Sequence, residues 1–367
     1  MKVGILTFPN SKSYGATLQM YALYQTIYKL GYEAEIINYY GKYMKAEKHC
    51  RPKGMSDLKY SLRYLARRIL HARMYAAFAS FEQKNMELHP KKFFTNKDEL
   101  STIGARYGAV VCGSDQVWNP DITGGDLSYF LDFCGEGTRR VAYAPSFGVE
   151  TLPVDFAARV GTELKQFSAL SVREAQGQAM IADMIGREVP VVIDPTMLLD
   201  AEQWQQLEEH FPVDGDFVLY YTVKSSPRLY AKCRAFAEQQ GLRMVVVGGN
   251  RMRRNDDAVV RHAIDISPAV WLWLVHHARY VVTNSFHGTA FSIIFEKNFY
   301  LELSAKTNSR LTNIVKLLDL GDRVIPFEQE IVPSQANFET AKKNMLDMRE
   351  RSIDYLRNAL REDDIHG

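Results

Sequence analysis

The sequence predicts an α/β protein in which two Rossmann-like domains face a cleft. The chain opens with a βαβ pattern, because the apolar run Val3–Phe8 is followed by a helix-forming segment and by a second apolar run at Glu33–Tyr39. This opening favours a parallel, doubly wound sheet. A second alternation of short strands and helices begins near residue 217. At 367 residues the chain is also longer than one ordinary core requires, so two successive domains are expected.

The elements of the first half follow from apolar periodicity and turn residues. A helix is predicted from Ala16 to about Leu30, where Gly31 ends it. Residues 42–100 have a basic, helical pattern with few strand signals. The further strands predicted in this half are Ala109–Gly113, Arg140–Ser146, Ala169–Val172 and Val189–Ile193.

The second half repeats this alternation and ends in a long charged amphipathic helix, predicted from Asn337 to Arg361. Its helices are predicted around Leu229–Gln240 and Pro268–His277, and its strands at Phe217–Val223, Met244–Val247, Ile264–Ile266, Tyr280–Thr283 and Phe299–Leu303. The predicted domains are therefore 1–205 and 206–336, with a C-terminal segment, 337–367, that packs back on the first domain.

Composition excludes several classes of protein. A net charge of +2 gives no broad electrostatic reason to expect a nucleic acid partner. No run approaches the ~18–20 apolar residues that span a bilayer, and the first strand meets Pro9 too soon for a signal peptide. The cysteines have neither CxxC nor metal-site spacing, so we expect a reducing cytoplasm, no disulfides and no metal site. They are Cys50, Cys112, Cys134 and Cys233.

The most informative stretch is Tyr280–Phe295, where a β-branched strand runs through small polar residues into a helix. Such a junction presents backbone N–H groups and the positive end of a helix dipole, which suit a phosphate or carboxylate. His287 can hold an anion or exchange a proton there, and Gly288 would allow close backbone approach. The alternative for His287 is a satisfied core or helix-cap histidine.

A second polar segment, Gly113–Pro120, follows a strand of the first half. Asp115 and Gln116 could hydrogen-bond sugar hydroxyls, Trp118 could stack on a sugar face, and Asp115 could act as a general base. The alternative is an Asx-type turn next to a core tryptophan.

Two arginines follow strand ends. Arg173 could grip a carboxylate or phosphate bidentately at the mouth of the cleft, or it could form a surface pair with Glu174. Arg310 follows the last predicted strand and could reach the same cleft, or it could belong to a surface loop.

The loop Ser11–Thr17 precedes the first helix and has the position of a ligand loop. It contains neither G-x-G-x-x-G nor G-x-x-x-x-G-K-[ST], so it supports neither dinucleotide nor P-loop ATP binding. Tyr14 and Gly15 remain candidate acceptor contacts. The basic segment Lys59–Tyr75 predicts a solvated outer helix or, as the alternative, contact with anionic lipid at the inner face of a membrane.

Together these motifs resemble the polysaccharide pyruvyl transferase family, and their order and spacing cover nearly the whole chain. The matching segments are Ser13–Gln19, Gly113–Pro120, Tyr143–Gly148, Ser171–Glu174, Asp194–Thr196 and Thr283–Thr289. The resemblance implies a GT-B-like fold and transfer of pyruvate from phosphoenolpyruvate to a sugar as a cyclic ketal. Many members carry arginine two places before the histidine, where this chain has Ser285; Arg310, Lys306 or Lys224 could supply that charge.

Carried over by position, the resemblance implies that Arg173 and His287 hold phosphoenolpyruvate and that Asp115 acts on the acceptor side. The donor-binding residues would be Asn284, Ser285, Phe286, Gly288, Thr289 and Arg310, and the acceptor-binding residues Tyr14, Gly15, Ser114, Gln116 and Trp118. The acceptor would be a sugar of a polysaccharide or of its lipid-linked precursor. We expect no cofactor and a metal-independent reaction. The competing hypotheses are a GT-B glycosyltransferase that uses a nucleotide sugar and a non-catalytic saccharide-binding protein.

Overall fold

The computed structural model describes residues 1–41, 57–248, 257–303, 308–326 and 328–361; within these ranges the side chains of 57–70, 248 and 308–310 are not described. The chain divides into two compact units. Unit 1 comprises Met1–Leu198 and Met348–Gly367, and unit 2 comprises Leu199–Asp347.

Unit 1 is built on a parallel sheet with the strand order β3-β2-β1-β4-β5. Its strands are β1 (Lys2–Leu6), β2 (Glu33–Tyr39), β3 (Leu88–Phe94), β4 (Ala109–Cys112) and β5 (Arg139–Ala142). Its helices are α1 (Tyr14–Lys29), α2 (Asp57–Asn85), α3 (Asp98–Gly104), α4 (Pro120–Thr123), α5 (Val154–Leu164) and α6 (Ala175–Ile185). The central strands are continuous apolar runs, as both faces of a parallel sheet require.

Unit 2 repeats this topology with the order β10-β9-β6-β7-β8, so the first and fourth strands of each unit are neighbours. The strands are β6 (Phe217–Thr222), β7 (Arg243–Gly248), β8 (Val260–His262), β9 (Tyr280–Thr283) and β10 (Asn298–Leu301). The helices are α7 (Ala201–Gln205), α8 (Pro227–Gln239), α9 (Pro268–His277), α10 (Phe286–Ile294) and α11 (Asn308–Leu317), and α12 (Glu339–Leu360) begins in unit 2 and continues into unit 1 from Met348.

Helix starts in unit 2 follow from local sequence. In α8 and α9 a serine N-cap precedes proline at the first helical position: Ser226 accepts from the Leu229 N–H, and Ser267 accepts from the Val270 N–H. The serine oxygen satisfies an otherwise unpaired amide, and proline costs no hydrogen bond at that position.

From Met348 onward, α12 belongs to unit 1. The Tyr355 hydroxyl donates to the Ala142 carbonyl at 2.8 Å, and the Ile193 N–H donates to Ser352 Oγ at 3.1 Å. Burial raises the pKa of Tyr355 well above its usual value, so this phenol stays a donor. These bonds tie the end of the chain to β5.

The predicted fold class, two Rossmann-like α/β domains, is confirmed. Several element predictions were wrong. Ala169–Val172 and Val189–Ile193 form only isolated bridges, Val141 with Ala169 and Val172 with Val191. The strand expected at Ile264–Ile266 lies earlier, at β8.

Strand β3 was missed in the segment predicted to be helical. It is an edge strand that carries Pro90, Lys91 and Lys92, and such residues hide the β pattern while they protect an edge from further pairing. Residues 42–56 of the same predicted segment lie outside the described ranges.

Candidate functional site

The two most informative motifs occupy equivalent places in the two units. Gly113–Pro120 follows β4, and Asn284–Thr289 follows β9, which is the fourth strand of unit 2. Each motif therefore leaves the carboxyl end of the strand at which the strand order reverses. That switch point is where open α/β sheets bind ligands.

In unit 2, hydroxyl groups build the turn between β9 and α10. Thr283 Oγ1 donates to the Tyr221 carbonyl at 2.7 Å and accepts from the Ser285 N–H at 3.0 Å. Ser285 is the N-cap of α10, and its Oγ accepts from the Gly288 N–H at 3.3 Å. Thr289 is fully buried, and its hydroxyl donates to the Ser285 carbonyl. Ser285 and Thr289, both predicted donor contacts, thus shape the turn.

Asn284 links this turn to the loop after β6. Its Oδ1 accepts from the Val223 N–H at 3.2 Å, and its Nδ2 donates to the Lys224 carbonyl at 2.9 Å. The side chain of Lys224 is exposed. The amide of Asn284 therefore places an exposed lysine on the loop beside the turn.

Gly288 has a different role from the one expected. A β-carbon there would lie 2.4 Å from Thr283 Oγ1 and 3.0 Å from Tyr221 Cδ1. The space is already filled by the chain's own strands, so glycine permits close packing of α10 on β9 and β6 rather than approach of a ligand.

Phe286 and His287 are the first two residues of α10, and both are half-buried. Their rings meet edge to face, with centroids 5.2 Å apart at 89°. The imidazole thus lies in the first helical turn, where the helix dipole favours negative charge. It is the only ionisable side chain within the sequence from Thr283 to Thr289.

In unit 1, Arg173 is buried rather than presented at an opening, with its side chain 3% exposed. Its Nη1 donates to Asp194 Oδ2 at 2.9 Å, and longer contacts join its Nε to Glu174 Oε2 at 3.6 Å and its Nη2 to Asp115 Oδ1 at 3.9 Å. Burial opposes the charge of Arg173, but Asp194, Glu174 and Asp115 raise its pKa above the ordinary value. The guanidinium therefore stays charged, and the three carboxylates around it carry more negative charge than it neutralises.

The rest of this network consists of hydroxyl groups. Ser114, a predicted acceptor contact, is fully buried, and its Oγ donates to Asp194 Oδ2 at 3.2 Å. Thr196 donates to Asp194 Oδ1 through both its N–H and its hydroxyl. Ser146 donates to Glu174 Oε1. Each carboxylate is thus oriented by hydrogen bonds as well as by the arginine.

Asp115 is the more accessible carboxylate of this group, with its side chain 19% exposed. Its φ of 81° lies in the left-handed region that non-glycine residues seldom adopt. Its Oδ1 accepts from the Gln116 N–H at 2.8 Å, and its carbonyl accepts from the Ser146 N–H. The partial exposure of this carboxylate leaves it accessible, which fits a candidate base.

One predicted acceptor contact in this loop, Trp118, needs correction. Trp118 is fully buried, stacks on Phe130 at 5.0 Å and donates its indole N–H to the Tyr129 carbonyl, so it packs the core and cannot stack on a sugar. Gln116 Oε1 accepts from Asn119 Nδ2. It also occupies the space beside Gly148, where a β-carbon would lie 2.2 Å away.

The first loop contributes less than expected. α1 begins at Tyr14, so Gly15 is a buried helical residue rather than a loop contact. The half-buried Tyr14 packs its ring against Phe78 with centroids 5.1 Å apart. The same motif does supply Gln19, whose Nε2 donates to Thr7 Oγ1, which in turn donates to the Ser114 carbonyl. Gln19 thereby supports the loop after β4.

The remaining candidates lie partly outside the described residues. Arg310 belongs to α11, but its side chain is not described, and Lys306 lies outside the described ranges. Most side chains of the basic segment Lys59–Tyr75 are likewise not described. Among the described residues, no helix combines the length and apolarity that crossing a bilayer requires.

The sequence analysis did not assign roles to Asp194, Glu174, Ser146 or Gln19. The signal was available, since all four lie in the motif segments Ser13–Gln19, Tyr143–Gly148, Ser171–Glu174 and Asp194–Thr196. The local sequence does not show their hydrogen-bond partners, which lie 12 to 80 positions away along the chain.

Solved structures of other proteins share the fold of this chain. A search of curated proteins returned no relative. Among solved structures, UDP-GlcNAc 2-epimerase from Neisseria meningitidis is similar at 11% identity, covering 99% of this chain and 95% of that one with a TM-score of 0.50. The epimerase from Methanocaldococcus jannaschii is 11% identical, with coverage of 96% and 93% and a TM-score of 0.47. These similarities concern the fold alone, which is of the GT-B type.

The family comparison extends over most of the chain. The model of the family described as "Polysaccharide pyruvyl transferase" matches residues 14–301. This range contains every motif described above from Tyr14 to Thr289, in both units. The chain therefore belongs to the polysaccharide pyruvyl transferase family and is a transferase.

Proposed function

We propose that this protein transfers pyruvate from phosphoenolpyruvate to a sugar of a polysaccharide or of its lipid-linked precursor. The product is a cyclic ketal on two hydroxyl groups of the sugar. The observation that carries the proposal is the family match, which extends across the switch-point motifs of both units.

The proposed reaction needs one proton donor and two deprotonated hydroxyls. The methylene carbon of phosphoenolpyruvate takes a proton, which leaves an oxocarbenium-like centre at the adjacent carbon. A first sugar hydroxyl attacks that carbon, a second hydroxyl closes the ring, and phosphate leaves with the remaining proton. Each step is favoured by groups that stabilise the departing phosphate.

On the donor side we assign anion binding to the start of α10. The backbone N–H groups of its first turn and the helix dipole favour phosphate, and Thr283, Asn284 and Ser285 hold this turn in place before a ligand arrives. His287, in the same turn, is the candidate that delivers or takes the proton.

Ser285 is uncharged and cannot supply the cation that many family members carry at its position; its hydroxyl instead caps Gly288. We assign the compensating charge to Lys224. Its carbonyl is bonded to Asn284, and its side chain is exposed beside the turn. A lysine is a point charge, so it would attract phosphate without the bidentate geometry of arginine.

The role proposed for Arg173 differs from the one expected from the sequence, because its guanidinium is already bonded to Asp194. Asp194 anchors the guanidinium at 2.9 Å, whereas its contacts with Glu174 and Asp115 are longer than hydrogen bonds. We propose that an anionic group of a substrate bound to unit 1 replaces the long contact with Asp115. Asp115 is then available as the base for a sugar hydroxyl.

The test is to incubate the full chain with phosphoenolpyruvate and candidate glycans, and to measure phosphate release together with the mass of the glycan. We expect acceptor-dependent phosphate release and a mass gain that depends on phosphoenolpyruvate. Parallel reactions with nucleotide sugars provide the control. Transfer from a nucleotide sugar, or glycan binding with no effect of phosphoenolpyruvate, would refute the proposal.

A further inference from the structure

A cluster of potential metal ligands lies in unit 2, outside the switch-point motifs. Glu208, His276 and His277 each place one ligand atom within 4.8 Å of the others. Glu208 follows α7, and the two histidines end α9. No metal site was expected from the spacing of the cysteines, and the carboxylate of this cluster lies 68 positions from His276 along the chain.

The carboxylate of Glu208 bridges the two imidazoles. Its Oε1 lies 2.8 Å from His276 Nδ1, and its Oε2 lies 3.7 Å from His277 Nδ1. Ligand atoms about 2.0–2.1 Å from a tetrahedral zinc ion are separated by roughly 3.3 Å. One ligand atom from each residue lies within 4.8 Å of the others, so the three side chains would have to draw closer together to enclose an ion.

The surroundings would hold the ligands in orientation. His276 Nε2 contacts Gln205 Nε2 at 3.3 Å, and its ring stacks on Phe295 with centroids 4.7 Å apart. The His277 ring stacks on Trp273 at 4.3 Å. A metal-bound imidazole usually donates its other ring N–H to a nearby oxygen. If the side-chain amide of Gln205 is rotated by 180°, its Oε1 takes the place of Nε2 and can accept from His276 Nε2.

Three interactions would have to yield to the ion, and the first is the 2.8 Å hydrogen bond between His276 Nδ1 and Glu208 Oε1. His277 Nδ1 lies 3.0 Å from the Trp273 carbonyl, so binding through that nitrogen gives up a local hydrogen bond. Lys297 interacts electrostatically with Glu208 and would compete with a cation. An ion with strong affinity for imidazole is therefore required, which favours zinc over magnesium or calcium.

From this geometry we infer that Glu208, His276 and His277 bind one zinc-class divalent ion, which clamps the segment after α7 to the end of α9. The Glu209 N–H already donates to the Ala269 carbonyl at 3.3 Å, so the segment lies along α9 before the ion arrives. The clamp is structural and does not depend on the proposed transfer reaction. Two imidazoles and one carboxylate leave a fourth position for water.

The test uses the full chain after removal of metals with a chelator. Titration calorimetry with zinc chloride should show one equivalent bound, and the thermal unfolding midpoint should rise with zinc but not with magnesium. Glu208→Gln and His277→Gln should each weaken zinc binding by at least about tenfold, comparable to or larger than the loss of an outer-shell partner. His262→Gln, a half-buried histidine on β8, is the matched control and should bind zinc like the wild type.

Cobalt provides a second measurement if a variant folds poorly. The wild type with one equivalent of cobalt(II) should develop visible absorption bands typical of four-coordinate nitrogen and oxygen ligation, and zinc should displace them. Zinc affinity that is unchanged in Glu208→Gln and His277→Gln, or no zinc binding at millimolar concentration, would overturn the inference.

Discussion

Arg173 and Asp194 form a buried ion pair, with Nη1 and Oδ2 2.9 Å apart and side-chain exposures of 3% and 0%. Asp194 also accepts hydrogen bonds from Thr196 and Ser114, so the pair joins three separate segments of unit 1. The position of Asp115 relative to β4 and β5 depends on this junction.

The first prediction concerns the stability of that pair. Asp194→Asn should lower the free energy of unfolding by on the order of 3 kcal/mol, because it leaves the Arg173 charge buried with less compensation. Chemical denaturation measures this change. The control, Lys342→Gln, removes an exposed pair with Glu296 and should cost less than about 1 kcal/mol. Equal costs for both variants would contradict the assigned role of the buried pair.

The second prediction concerns the packing of α10. Gly288→Ala should destabilise the protein by about 1–3 kcal/mol, because the added methyl group overlaps Thr283 Oγ1. Adding Thr283→Ala should recover part of the loss. Gly177→Ala is the matched control in α6, where the nearest atoms would be at 3.4 Å, and it should be neutral or stabilising. Thermal and chemical denaturation would both report these differences.

The third prediction is a pH dependence. Burial raises the pKa of Glu82 above its ordinary value, despite the opposing effects of Lys12 and of a hydrogen bond from Thr17. A raised folded-state pKa stabilises the fold below the unfolded pKa of about 4.3, and that contribution is lost as pH rises through the folded value. The stability of Glu82→Gln relative to wild type should therefore increase as pH rises from the unfolded pKa through the raised folded pKa. A difference that stays constant between acidic and neutral pH would disprove the assignment.

The fourth prediction concerns catalysis. His287→Ala should lower the rate of acceptor-dependent phosphate release by about 10²–10⁴-fold, as expected for loss of a proton-transfer group. Its circular dichroism spectrum and unfolding midpoint should match those of the wild type, since the ring is half-buried and lies in the first turn of α10. His262→Gln serves again as the control. Near-normal activity of His287→Ala would remove this residue from the mechanism.

The fifth prediction tests whether Lys224 attracts phosphoenolpyruvate by its charge without taking part in the reaction. Lys224→Met should raise the KM for phosphoenolpyruvate and leave kcat nearly unchanged, because it removes an attraction that acts on substrate and transition state alike. Lys224→Arg keeps the positive charge, so its KM for phosphoenolpyruvate should stay close to that of the wild type. Equal KM values for Lys224→Met and wild type would show that the compensating charge comes from elsewhere.

Local sequence accounted for the fold class and for the position of the main motifs. The buried strands β1, β4, β6 and β9 are short apolar runs flanked by turn residues, and α9 was predicted at its observed bounds. Such periodicity depends only on near neighbours along the chain. It failed at β3, where the polarity of an edge strand cancelled the signal.

By itself the sequence determined that two α/β domains form and that polar motifs follow their central strands. Only the tertiary structure decided that Trp118 and Gly288 serve packing, that Arg173 is bonded to Asp194, and that Glu208 meets His276. The reason is that amphipathic patterns are local, whereas burial and ion pairing depend on strands and loops that meet only after long segments of chain close on one another.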